Sequence, residues 1–91
     1  MGYDLIFEKL NKIVSLYIGD RKVDPDRDLM GQPVALAPYN MAALFLDIEK
    51  EFSVSLDELI SGLDLFSLNE ISAKIKDIYG YSNVNVNRIS V

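Results

Sequence analysis

Apolar residues recur at helical spacing three times along this chain, and one long proline-bearing stretch interrupts the pattern. Tyr3, Ile6, Phe7, Leu10, Ile13, Val14 and Tyr17 stand three and four apart, which puts them on one face of a helix. Asp4, Glu8, Lys9, Asn11, Lys12 and Ser15 occupy its other side, and Gly19 stands where a C-terminal cap belongs. A second stripe, Met41, Leu44, Phe45, Ile48 and Phe52, predicts a helix opening at Pro38 or Tyr39. Proline is well tolerated there because its missing N–H would have had no partner. A third run, Leu68, Ile71, Ile75 and Ile78, follows Ser67, with Glu70 three residues on. That spacing is a capping box, and Gly80 is read as the end of this helix.

The intervening stretches are shorter on information. Asp20 to Tyr39 carries all three prolines (Pro25, Pro33, Pro38), Gly31 and the charged run Asp20 to Asp28, and is read as a loop of about 20 residues. Leu29, Met30, Val34 and Leu36 are expected to tuck it against the core. Leu56, Leu59, Ile60 and Leu63 make a short helix capped by Ser55 or Asp57 and weakened by Gly62. Tyr81 to Val91 alternates polar and apolar residues. With no partner strand elsewhere, it is read as a flexible tail following a single domain over 1–80.

Composition narrows the chemistry. Among 91 residues there is no His, Cys, Trp or Thr. Disulfides, thiolate chemistry, the usual zinc sites and the commonest acid–base side chain are all excluded. The reading is therefore a protein that is not an enzyme and carries no cofactor. A carboxylate- or lysine-based hydrolase or lyase is the distant alternative. The net charge of −5 disfavours nucleic acid and fits docking onto basic partners. No apolar run approaches the ~20 residues that span a bilayer. The first residues resemble neither a signal peptide nor a myristoylation site, so a cytoplasmic monomer is expected. The Asp20–Asp28 run lacks calcium-loop spacing and reads as solvated. Asp57 and Glu58 read as acids at a helix N-terminus.

Long helix, long loop, helix, short helix, last helix: that order, with four local stretches, resembles the acyl carrier proteins. The stretches are Leu10 to Gly19, Asp24 to Leu29, Leu46 to Phe52 with its aliphatic–acidic–Phe ending, and Ser67 to Ile71. The likeness covers roughly residues 5–79 and implies an all-α four-helix bundle with a long loop between helices I and II. In that family an Asp-Ser-Leu triplet opens the second helix, and its serine carries phosphopantetheine. Counting back from Phe52 puts Ala37, Pro38 and Tyr39 there, so the attachment position falls on Pro38. No serine occurs between Ser15 and Ser53.

By the same count, the family's recognition face becomes Tyr39, Asn40, Ala43, Leu46, Asp47 and Lys50. Together with Ala37 and Pro38 these are the candidate partner-binding residues. For Pro38 and Tyr39, a contact surface and ordinary helix initiation weigh evenly. For Ala43 and Leu46, burial under the long loop is the heavier reading. The resemblance implies a carrier-like domain without a usable attachment serine, docking onto a biosynthetic or peptide-modifying enzyme. By analogy, its setting is a bacterial peptide-maturation system. The alternative is a genuine acyl or peptidyl carrier with an atypical attachment site.

Overall fold

The computed structural model describes residues 2–19 and 22–90, with side chains through Tyr79. Asp20 and Arg21 of the charged run lie outside the described residues. Four helices form, and no strand occurs among the described residues: α1 Tyr3–Ile18, α2 Pro38–Phe52, α3 Leu56–Ile60 and α4 Leu68–Ser90.

Each helix buries the stripe its periodicity defines. Ile6, Leu10, Val14 and Ile18 face inward from α1, and Met41, Leu44, Phe45, Ile48 and Phe52 from α2. Leu68, Ile71 and Ile75 do so from α4. The most extensive helix pairing is α1 with α4. α1 also packs on α2, and α3 touches both α4 and α2.

The ends follow local chemistry. Gly19 stops α1 at φ 73°, ψ −149°, a backbone state that side chains disfavour. Pro38 opens α2 at its first helical position, and Ser53 ends that helix in the left-handed region (φ 54°, ψ 44°). α3 is shorter than its apolar spacing implied, and Leu63 falls in the connector, half-buried against the core. Ser55 occupies the N-cap position of α3 without a side-chain bond. The Leu56 N–H is taken instead by Glu49 Oε2, at 2.9 Å. Ser67 Oγ accepts the Glu70 N–H at 3.2 Å, the first half of a capping box. The second half is redirected, because Glu70 Oε2 accepts the Leu65 N–H at 2.9 Å.

α4 does not end at Gly80. Its helix runs to Ser90, so the helix end expected at Gly80 is corrected; Val91, the last residue of the expected tail over 81–91, lies outside the described residues. A glycine inside a helix costs only about 1 kcal/mol, and it terminates one only when the chain turns left-handed at that point. The two-residue alternation that begins at Tyr81 has no strand among the described residues to pair with, and helix propagation prevails through Ser90.

The long loop is pinned rather than loose. Leu29 and Leu36 are buried, and Val34 packs half-buried on the core. Met30, expected inside, is 38% exposed. Backbone bonds tie the loop to the start of α4: Leu29 N–H to Phe66 O and Asn69 N–H to Pro25 O, both 3.0 Å. The Asn69 side chain completes the junction. Its amide donates to Asp26 Oδ1 at 2.7 Å, and its carbonyl accepts the Tyr3 hydroxyl at 2.5 Å. One residue thus joins the head of α1, the loop and the head of α4.

Candidate functional site

The head of α2 presents no aliphatic hydroxyl. Ala37 is its N-cap, extended at φ −66°, ψ 150°, and Pro38 follows at the first helical position. Both are exposed, and the ring of Tyr39 stands 77% exposed beside them. The serines nearest in sequence lie at the far end: Ser53 closes α2, and Ser55 precedes α3.

From this head a ridge runs along the outer side of α2. Tyr39, Ala43, Leu46 and Lys50 follow one another at steps of four, three and four, so they line up along the helix. Leu46 is 51% exposed, which corrects the expectation that the long loop covers it, while Ala43 is half-buried. The loop spends its apolar anchors, Leu29 and Leu36, on the core instead. Asn40 and Asp47, seven residues apart, turn to one flank of the ridge and are half-buried. The Asp47 carboxylate accepts a hydrogen bond from the Tyr17 hydroxyl of α1. That bond, then burial, then the carboxylate's own charge push the Tyr17 phenol above its usual pKa. The ridge's one acid is thereby committed to holding α1 against α2.

The other flank, toward α3, opens into a groove of about 410 Å³ that sequence reasoning missed. Met30, Pro38, Ala42, Leu46, Leu56 and Ile60 line it, over Met41 and Phe45. Its signal in the sequence was faint: Leu46 is a large apolar group off the buried stripe of its helix, whereas Ile60 counts with the apolar positions of the short helix and gives no sign of exposure. Ile60 is 40% exposed. Two of the eight predicted contact residues, Pro38 and Leu46, thus border this groove. The others stand on the head, the ridge or its α1 flank.

Elsewhere, the acids of the loop serve local structure. Asp24 Oδ1 accepts the Asp26 N–H, and Asp28 Oδ1 accepts the Met30 N–H, each at 2.9 Å. Among the described residues no group of acids is placed to hold a metal ion. A cleft between α3 and α4, lined by Asp57, Glu58, Ser61, Lys74, Asp77 and Ile78, is open and of mixed charge. Among the described residues no helix is long and apolar enough to cross a membrane. No family model, curated protein or solved structure matches the chain.

Proposed function

We propose that this chain is a non-enzymatic, acyl-carrier-protein-like interaction domain that has no usable phosphopantetheine serine and docks onto a biosynthetic or peptide-modifying enzyme. One observation carries the reading. Where a carrier offers a primary alcohol, α2 offers the imino acid Pro38 and the exposed phenol of Tyr39. The order of elements supports the likeness: a long helix, a pinned loop, a second long helix, a five-residue helix and a last helix. Exposed Tyr39 and Leu46 support docking by burial of apolar surface more than by charge, since Asp47 is already occupied by Tyr17. The same likeness supports a setting among bacterial peptide-maturation enzymes, with the protein acting as a cytoplasmic monomer.

The test is intact-mass measurement after incubation with a phosphopantetheinyl transferase and coenzyme A. The expected mass is unchanged, and a gain of one arm overturns the reading. The triple variant Ala37→Asp, Pro38→Ser, Tyr39→Leu restores the family's triplet and is expected to gain the arm. A well-folded triple variant that stays unmodified counts against carrier-like geometry at the head of α2.

A further inference from the structure

The long loop and α1 enclose a cleft that lies apart from the α2 face. Phe7, Asn11 and Ser15 follow one another at steps of four, so they form one line along α1. Across an opening of about 400 Å³ from them stand Lys22 and Pro25 of the loop and Leu68 of α4. The loop is fixed at both ends of this opening. Gly19 turns the chain out of α1, and the Pro25 carbonyl accepts the Asn69 N–H at 3.0 Å.

Those two fixings give the cleft a direction. Asn69 also holds Tyr3, whose ring stacks on Phe7 at 6.2 Å, so Phe7, Pro25 and Leu68 gather at the head of α1. That end is apolar. Lys22 follows Gly19 by three residues and stands toward the other end, with Asn11 and Ser15 between along α1. The backbone from Lys22 to Pro25 spans at most about 10 Å, which sets the scale of an occupant to that of a small molecule.

The charge at the cleft has one sign. Among the described residues that line it, Lys22 is the one that is charged. The acids of the neighbouring run are engaged elsewhere: Asp24 and Asp28 accept loop N–H groups, and Asp26 accepts the Asn69 amide. An adjoining opening that shares Lys22 adds Arg27 and Asp24, whose charges offset. Among the described residues, no hydrogen bond or ion pair engages the Lys22 ammonium or the Asn11 amide. Ser15 Oγ donates to Lys12 O at 2.7 Å, which leaves its own lone pairs open to a donor. Apolar walls with a few convergent polar groups are the makings of a small-molecule site.

We infer that this cleft binds a small apolar carboxylate with an amide beside its acid group, as in an N-acylated amino acid. The apolar body lies on Phe7, Pro25 and Leu68, the amide meets Asn11 and Ser15, and the carboxylate meets Lys22. The site is separate from the head and ridge of α2, so it stands or falls independently of the docking reading.

The experiment is an amide-resolved NMR titration of the full chain with N-benzoylleucine, and with N-benzoylleucinamide as its uncharged counterpart. Saturable shifts centred on Phe7, Asn11, Lys22 and Leu68 are expected for the acid, weakening with added salt. The uncharged counterpart should bind at least roughly tenfold more weakly. Lys22→Gln, at an exposed position, should weaken the acid by a similar factor and leave the uncharged counterpart unchanged. Asn11→Ala, also at an exposed position, should weaken both ligands roughly threefold. The inference is overturned by an acid that gives no saturable shifts at millimolar concentration, or whose shifts centre on the α2–α3 groove. Equal binding of the two ligands overturns it too, as does an acid affinity that Lys22→Gln leaves unchanged.

Discussion

The α1–α4 seam and the α2–α3 seam are built from the same kinds of side chain and finish differently. Ile6, Leu10 and Val14 of α1, and Ile71 and Ile75 of α4, are fully buried. Across the α2–α3 seam, Leu46 and Ile60 remain 51% and 40% exposed. Length decides the contrast. α1 has 16 residues, enough to lay four buried positions along its partners, whereas α3 has five and buries one. The closed seam therefore holds the fold together, and the open one leaves surface whose burial is still to be gained. A core and a contact surface can share composition and be told apart only by whether the covering element is long enough.

The sharpest way to break this contrast is a pair of equal truncations. Leu10→Ala in the closed seam should cost about 2–5 kcal/mol, from lost transfer free energy and a residual cavity. Leu46→Ala in the open one should stay within about 0.5 kcal/mol. Urea unfolding followed by circular dichroism reads both, and similar losses would mean that the groove is closed in solution.

Asn69→Ala comes next. It removes the bonds to Asp26 and Tyr3 and leaves the backbone bond to Pro25. A loss of about 1–2 kcal/mol is expected. Faster amide hydrogen exchange should be confined to the loop near Asp26–Leu29, and exchange spreading through α2 would show that the junction also supports the open seam.

The closed seam has one flaw. Ser72 is fully buried, and its hydroxyl has no hydrogen-bond partner among the described residues. Ser72→Ala should therefore raise stability by up to about 1 kcal/mol, since an unsatisfied buried hydroxyl is a cost. Destabilisation instead would reveal a partner such as a buried water.

The smallest effect is a dependence on alkaline pH. Burial raises the Tyr3 and Tyr79 phenols above 10.0, helped by Asp26 and Asp4 for Tyr3 and by Glu51 for Tyr79; the hydrogen bond to Asp47 raises Tyr17. In the unfolded chain these phenols ionise near 10.0, so above that pH the unfolded state releases protons first. The contribution is complete below pH 10.0 and is lost as pH rises through the higher folded values. Thermal midpoints between pH 8 and 11, from values bracketing that point, should fall only at the upper end. Tyr17→Phe should lessen the fall, and an unchanged profile would mean that the Tyr17–Asp47 bond does not persist in solution.

Helices α1 and α2 were legible in the sequence because periodicity and caps agree there. Tyr3, Ile18 and Pro38 bound them as expected, and every residue of the Met41–Phe52 stripe is buried. Ser67 caps α4 for the same reason. What escaped depends on distant parts of the chain. Asp47 looks solvent-facing until Tyr17, 30 residues earlier, is folded against it. Asn69 is an unremarked interior position of a capping box until the loop arrives. Met30 and Leu46 are apolar and were expected inside, but local spacing does not reveal how far α3 reaches. The groove follows from that shortfall, and so does the part of the candidate site that the sequence missed.

The bond between Tyr3 and Asn69 links residues 66 positions apart, and the widest helix pairing joins the first helix to the last. Contacts that distant form slowly, because a large span of chain must be ordered before they return anything. On the ribosome, the greasy side of α1 emerges early and finds its main cover only once the final helix has been made. During that interval the nascent chain depends on α2 or a chaperone to shield it, so synthesis speed through the middle of the message should influence how much protein is recovered in native form.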